Sequence, residues 1–96
     1  MTGKQRAYLR ALANSYDTIF QVGKGGINDN MLAQIDEALE AHELIKLRVL
    51  NTCELTAAEA ADIIAKSLQA DVIQVVGTRF ILYKESVKHK KIELIK

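Results

Sequence analysis

The chain has 96 residues, 49% of them hydrophobic, and its 13 Lys and Arg residues against 12 Asp and Glu residues leave a formal net charge of +1. This length and composition predict one compact domain and argue against a disordered chain, while the single Cys53 excludes a disulfide-stapled secreted module. No apolar run approaches the roughly 20 residues that span a bilayer, and the polar N-terminus lacks the pattern of a signal peptide. We therefore expect a soluble, cytoplasmic protein that has no membrane partner.

The first predicted element is a helix. Thr2 and Gln5 have the spacing of a capping box, and Arg6 and Arg10 lie one turn apart, opposite an apolar stripe. That stripe consists of Tyr8, Leu9, Leu12 and Tyr16. A β-rich run over residues 18–22 follows and stops at a cluster of glycines, which predicts a strand and then a tight loop.

A second helix and a second strand come next. Asn28 is a suitable N-cap for that helix. Its expected inner stripe consists of Met31, Leu32, Ile35, Leu39 and His42. Its expected outer, acidic stripe consists of Asp29, Asp36, Glu40 and Glu43. Residues 44–50 then alternate in polarity, which places Lys46 and Arg48 together on one face of a half-buried strand.

A third helix is predicted after a loop over residues 51–55. Thr56 and Glu59 form a second capping box at its start, and Asp62 and Lys66 have the spacing of an ion pair on its outer face. Its expected buried stripe consists of Ala60, Ile63, Ile64 and Leu68.

Two last strands complete the predicted fold. Residues 72–76 and 79–83 are joined by a tight turn at Gly77-Thr78, which makes them antiparallel neighbours. The order helix, strand, helix, strand, helix, strand, strand predicts an α/β fold, a single two-layer domain over residues 1–96 with a four-stranded mixed sheet. The first two strands are expected to be parallel, through a right-handed crossover.

The densest glycine cluster is Gly23-Lys24-Gly25-Gly26, between the first strand and the second helix. Glycines let backbone N–H groups approach a ligand closely, and the helix N-terminus and Lys24 add positive charge. These features suit an anion such as phosphate, although the same glycines fit a plain strand-to-helix turn. The spacing matches neither a Walker A loop nor a dinucleotide fingerprint, which needs Gly at the position of Asn28.

Other basic residues are candidates for phosphate contacts. Lys46 and Arg48 share a strand face at a spacing of about 7 Å, close to that of successive phosphates on a nucleic-acid strand. A lone basic pair is, however, more often a solvated strand face. Arg6 and Arg10, with Lys4 nearby, have the same two interpretations. A further basic cluster near the C-terminus consists of Lys88, Lys90 and Lys91.

No catalytic constellation is apparent in the sequence. Cys53, His42 and Asn51 are the residue types of a thiol site, but nothing in the sequence brings them together. One cysteine and two histidines cannot build a zinc cluster without carboxylates. We therefore expect no enzymatic activity, no cofactor or metal, and no small-molecule substrate.

Several of these motifs, taken in order, are similar to a known family. They are Thr2-Gly3-Lys4-Gln5, Val22-Gly23-Lys24-Gly25-Gly26-Ile27, residues 35–39 running into His42-Glu43-Leu44-Ile45-Lys46, Val76-Gly77 with Leu82-Tyr83, and Lys91-Ile92-Glu93-Leu94. Each motif is weak by itself, but the ordered set runs over essentially the whole chain. It resembles the bacterial single-domain members of the CRM group, the chloroplast RNA splicing and ribosome maturation domain, of the YhbY type.

The resemblance implies an RNA-binding domain whose fold is similar to the C-terminal domain of translation initiation factor three, with a Gly-x-x-Gly loop at residues 23–26. It also implies association with precursors of the large ribosomal subunit, and hence a role in ribosome assembly through contact with rRNA. We expect the protein to act as a monomer. The alternative is a protein-interaction module that reaches ribosomal particles through a ribosomal protein and uses the acidic helix stripe.

The resemblance assigns the glycine loop and Lys46 to RNA contact, and local geometry adds Arg6, Arg10, Arg48 and Arg79. The full set of candidates is Gly23, Lys24, Gly25, Gly26, Lys46, Arg48, Lys4, Arg6, Arg10, Arg79 and Lys84. Lys84 stands where the family commonly has Arg, so it lacks the planar fork that binds phosphate bidentately. Tyr8, Tyr16 and Tyr83 are the candidates for base stacking, although we expect Tyr8 and Tyr16 to pack the first helix.

The near-zero net charge hides a segregation of charge along the chain. Residues 1–24 carry +3, residues 25–43 carry −5, residues 44–84 carry +1 and residues 85–96 carry +2. Overall neutrality therefore does not exclude a polyanionic partner, and the pattern predicts a dipolar protein with one RNA-facing side.

Overall fold

The computed structural model describes residues 1–88, 90 and 92. The helices are α1 (Gly3–Ala13), α2 (Asp29–His42) and α3 (Ala57–Leu68), and the strands are β1 (Thr18–Val22), β2 (Leu44–Val49), β3 (Asp71–Val76) and β4 (Arg79–Tyr83). The predicted element order is confirmed. Lys91 of the basic cluster, like residues 93 and 94 of the last motif, lies outside the described residues.

Side-chain caps start all three helices, as the sequence predicts. Thr2 Oγ1 accepts from the Gln5 backbone N–H at 3.1 Å, and Gln5 Oε1 accepts from the Thr2 N–H at 3.0 Å. The same reciprocal pair joins Thr56 and Glu59 at 3.1 and 2.9 Å. Asn28 Oδ1 accepts from the Met31 N–H at 2.8 Å. Each cap gives a partner to helix N–H groups that the helix itself leaves unpaired.

The four strands form one mixed sheet in the order β1-β2-β4-β3. β1 pairs with β2 in parallel, and β4 pairs antiparallel with both β2 and β3. The β3–β4 turn contains Gly77 at φ +59°, a left-handed conformation that favours glycine. The predicted parallel pair and the predicted hairpin are both confirmed.

Helices cover both faces of the sheet. Ile45 and Leu47 of β2 pack with α2 and α3 in the larger apolar cluster, which also contains Ile64 and Phe80. Leu44 belongs instead to a second cluster, whose other members include Leu9, Ala13, Ile73, Ile81, Tyr83 and Ile92. Because neighbouring strand residues point to opposite faces, α1 lies across the sheet from α2 and α3. The helices thus form two layers around the sheet, rather than the one predicted, since Leu44 of β2 and Ile81 and Tyr83 of β4 give the α1 side an apolar cluster of its own.

Two residues at the end of α2 exchange their predicted positions. His42 is exposed, whereas Glu43 is fully buried. The helix ends at His42, and Glu43 adopts φ 65° while its N–H still donates to Leu39 O at 2.7 Å. The change in backbone direction takes Glu43 out of the helical pattern and turns its carboxylate inward. In α3 the predicted burial of Ala60 and Ile64 is confirmed, but Ile63 is 41% exposed, and Ala61 and Ala65 are buried instead.

Within the described residues, no helix is both long enough and apolar enough to cross a membrane.

Candidate nucleic-acid interface

The glycine loop is a tight turn between β1 and α2. The Gly26 N–H donates to Gly23 O at 3.0 Å, and Gly26 has φ +66°. Lys24 and Gly25 at the tip are exposed. A Cβ at Gly25 or Gly26 would meet no atom within 4 Å, so the space beside these backbone groups is open. The loop therefore combines a required left-handed glycine with a backbone that a ligand could approach.

Three loops meet at this end of the sheet. Leu50 N–H donates to Val22 O at 2.8 Å, which joins the end of β2 to the glycine loop. Val49 N–H donates to Thr78 O at 2.8 Å, which joins the same end of β2 to the β3–β4 turn. A ligand held at the glycine loop would thus lie beside both other segments.

Three basic residues, Lys46, Arg48 and Arg79, occupy the α1-side face of the sheet near this end, and together we call them the basic face. Arg48 lies directly opposite Arg79 on β4 and opposite Gln21 on β1. Like charges in opposite positions on neighbouring strands repel each other. Among the described residues, Arg48 Nε is a buried group without a hydrogen-bond partner, and the ion pairs there include none of the three. The basic face is therefore a cationic surface to which the described part of the chain supplies no carboxylate partner.

A cavity of about 340 Å³ adjoins the basic face, between α1 and the β3–β4 hairpin. Lys46 and Arg79 line it, together with Asn14 at the end of α1 and Gln74 of β3. The sequence does not mark Asn14 or Gln74 as a candidate, because an isolated polar residue has no distinctive spacing. Gln74 lies opposite Ile81, just past an irregularity in β3, and no local sequence signal marks that displacement.

Two other candidate residues are engaged within the fold. The Arg6 guanidinium donates to the carbonyl oxygens of Val72 and Ile73, at the irregular segment of β3. Lys84 Nζ lies 3.0 Å from Asp36 Oδ1 on α2. Lys84 follows Tyr83, which pairs with the start of β2, so it lies at the far end of the sheet from the glycine loop. The structure does not bring Arg6 or Lys84 together with the basic face.

Lys4 and Arg10 are exposed on α1. Arg6, Arg10 and Asn14 recur every four residues and so line one side of the helix. Arg6 reaches β3 and Asn14 lines the cavity beside the basic face, which places Arg10 between them on the same side. Lys4 lies one turn before Tyr8, on the other side of α1.

The acidic stripe of α2 lies across the sheet from the basic face. Asp36, Glu37 and Glu40 line a shallow cavity of about 300 Å³ there. Glu40 also accepts from the backbone N–H groups of Val87 and Lys88, at 3.3 and 2.9 Å. The basic face and the acidic stripe thus lie on opposite faces of the sheet, and Glu40 binds the backbone at Lys88, the first residue of the C-terminal basic cluster.

Tyr83 is only 4% exposed, so its ring is unavailable for base stacking. Burial, and then the carboxylates of Glu43, Glu85 and Asp71, raise the pKa of Tyr83 to about 12. Tyr8 is 38% exposed and Tyr16 is half-buried. Of the three candidate tyrosines, the structure leaves these two accessible.

Comparison with known proteins identifies the family. The CRS1 / YhbY (CRM) domain model matches residues 1–84. The Bacillus subtilis protein named "Probable RNA-binding protein YqeI" is 50% identical over 94 residues, 98% of each chain. A Haemophilus influenzae protein named "RNA-binding protein" is 31% identical over 90 residues, covering 94% of this chain and 91% of that protein. A solution structure from Staphylococcus aureus superposes with a TM-score of 0.81, at 46% identity and 99% coverage of both chains. The chain therefore belongs to the CRS1 / YhbY (CRM) domain family.

Proposed function

We propose that this protein binds RNA of precursor large ribosomal subunits and assists their assembly, acting as a cytoplasmic monomer without catalysis. The glycine loop and the basic face clamp the rRNA backbone. The observation that carries this proposal is the Arg48–Arg79 pair, two opposed cations without a carboxylate partner among the described residues, beside an open glycine turn. The names of the Bacillus and Haemophilus relatives, which describe RNA-binding proteins, support it.

Phosphate binding gives each part of this surface a chemical role. A phosphate bound between Arg48 and Arg79 accepts charge-assisted hydrogen bonds from both guanidinium groups, and its negative charge offsets their repulsion. Lys46 lies about 7 Å along β2 from Arg48, so it extends the track by one phosphate. Lys24 and the accessible backbone of the glycine loop then bind the RNA strand where it reaches the end of the sheet.

The alternative, a protein-interaction module that uses the acidic stripe, has less support. Asp36 is paired with Lys84, and Glu40 accepts two backbone N–H groups of the tail. These carboxylates therefore already serve the fold, whereas the basic face has no such partners among the described residues.

The first test is RNA affinity measured by fluorescence anisotropy with single-stranded fragments of large-subunit rRNA. If about four phosphates are engaged, the logarithm of the affinity falls with the logarithm of salt concentration at a slope near −3. Lys46→Glu should weaken binding about tenfold or more, because it removes one phosphate contact and adds repulsion. Lys66→Glu on α3 is the charge-matched control, since Lys66 is exposed and forms an ion pair with Asp62, away from the basic face. Equal affinities for the two variants would contradict the clamp.

Arg79→Gln separates function from stability. Removing one of two opposed cations should leave the free energy of unfolding unchanged or slightly raised, yet weaken RNA binding. A folded Arg79→Gln protein with wild-type RNA affinity would refute the role of the basic face.

The assembly role needs a cellular test. Ultraviolet crosslinking followed by RNA sequencing should recover large-subunit rRNA, enriched in precursor particles over mature subunits. Retention of the protein on particles after RNase treatment would favour the protein-interaction alternative instead.

A further inference from the structure

A cleft of about 570 Å³ separates one side of α1 from the starts of β1 and β2, and we call it the tyrosine cleft. Tyr8 of α1 and Tyr16, three residues after the end of that helix, both line the cleft, as does Ile19 of β1. Tyr8 is 38% and Ile19 48% exposed. The expected packing role is confirmed for Tyr16, which packs against the apolar cluster of Leu9 and Ala13, whereas Tyr8 is exposed.

The size and walls of this cleft suit a small flat ligand. Its volume lies within the range of about 300–1,000 Å³ that is usual for small-molecule pockets. Two aromatic rings and exposed aliphatic surface favour a ligand with apolar faces. Asp17 and His42 also line the cleft and supply polar groups, so a ligand with hydrogen-bonding edges is favoured over a purely apolar one.

Lys46 connects the tyrosine cleft to the basic face. It lines both the cleft and the cavity that contains Arg79, and it is half-buried beneath the end of α1. An anion bound to Lys46 therefore lies at the mouth of the cleft. The charge favours a ligand that carries phosphate on one side and a flat ring on the other.

We propose that the tyrosine cleft binds an unpaired nucleobase of the RNA strand whose phosphates lie on the basic face; this inference rests on the proposed function. The base stacks on Tyr8 or Tyr16, as single-stranded bases do on aromatic side chains. The Asp17 carboxylate accepts a hydrogen bond from a base amino group, which favours cytosine, adenine or guanine over uracil. The cleft thus adds contacts to a base, whereas the basic face and the glycine loop contact only the phosphates of the RNA backbone.

Affinity for a short single-stranded RNA tests the inference. Tyr8→Leu and Tyr16→Leu should each weaken binding about tenfold if the ring stacks on a base, and Tyr8→Phe and Tyr16→Phe should preserve it because they retain the ring. Thermal unfolding of each variant shows whether it is folded. Tyr8 is the safer site, since its ring is already 38% exposed. The wild type should bind an oligonucleotide with abasic positions more weakly than the intact RNA. The leucine variants should bind these two RNAs with equal affinity.

Tyrosine fluorescence gives an independent signal, because the chain has three tyrosines and no tryptophan. With Tyr83 buried, RNA-dependent quenching should come from Tyr8 and Tyr16 and should be lost with abasic RNA. RNA affinity that depends on Lys46 but is unchanged in both leucine variants would overturn the base site and leave the backbone clamp intact. Absence of any RNA binding by the wild type would overturn both. A protein partner that survives RNase and is lost in Tyr8→Leu would assign the cleft to protein and overturn the inference.

Discussion

The buried carboxylate of Glu43 makes a specific prediction about how the chain after β4 is held. Glu43 is fully buried, and its two oxygens accept from the backbone N–H groups of Ser86 at 2.8 Å and Ile92 at 2.6 Å. Its own carbonyl accepts from the Lys84 N–H at 2.9 Å. One residue thus organises the segment that brings Ile92 into the apolar cluster beneath α1.

Glu43→Gln preserves the shape of this side chain but turns one acceptor into a donor. One backbone N–H then keeps a neutral acceptor, while the other faces an NH₂ group and loses its partner. A weakened charge-assisted bond and an unsatisfied buried donor together cost roughly 2–4 kcal/mol. For a domain of this size, that corresponds to a fall in Tm of about 10 °C or more.

Chemical denaturation measures this cost, and Glu37→Gln is the matched control. Glu37 lies on α2, the helix that ends just before Glu43, and is exposed, so its change should stay within about 0.5 kcal/mol. Hydrogen exchange at the Ser86 amide reports local release of the segment. If Glu43→Gln and Glu37→Gln have equal stability and the Ser86 amide remains equally protected, the argument from Glu43 is refuted.

Three further predictions concern stability. Folding raises the pKa of Tyr83 from 10.0 to about 12, so the contribution of its neutral hydroxyl to stability is complete below pH 10 and is lost as pH rises towards 12. In urea titrations, the free energy of unfolding of Tyr83→Phe should therefore fall less steeply with alkaline pH than that of the wild type. An identical fall in both proteins would contradict this. Thr56→Ala removes the capping box of α3 and should cost about 1 kcal/mol, measured by thermal unfolding; no loss would show that the cap is unimportant. Gln69 ends α3 at φ 58°, ψ 42°, so Gln69→Gly should stabilise by about 0.5–1 kcal/mol, and destabilisation would contradict that estimate of strain.

The described contacts divide the basic candidates into two groups with different expected behaviour. Arg6 and Lys84 bind groups of the fold itself, so replacing them should affect stability as well as any RNA contact. Lys24, Lys46, Arg48 and Arg79 have no such partners among the described residues, and their replacement should act on RNA affinity. The sequence alone treats all six as equivalent positive charges.

Features that depend on neighbouring residues were predictable from the sequence. A capping box needs two residues three positions apart, a strand needs alternation, and a tight turn needs a glycine that tolerates positive φ. The helix starts at Thr2, Asn28 and Thr56 and the turn at Gly77 follow from such short-range rules. The family motifs and the glycine loop are local in the same sense, which is why the fold and family could be recognised before the structure was known.

Tertiary structure alone decided the features that join distant segments. Arg6 meets β3 across 66 residues, Glu43 meets Ser86 across 43 residues, and Arg48 faces Arg79 on another strand. The side of the sheet that α1 covers, and hence the tyrosine cleft beside Lys46, also depends on such contacts. The physical reason is that local spacing determines how a segment folds, whereas burial, unpaired charge and cavities depend on which faces of separate segments meet.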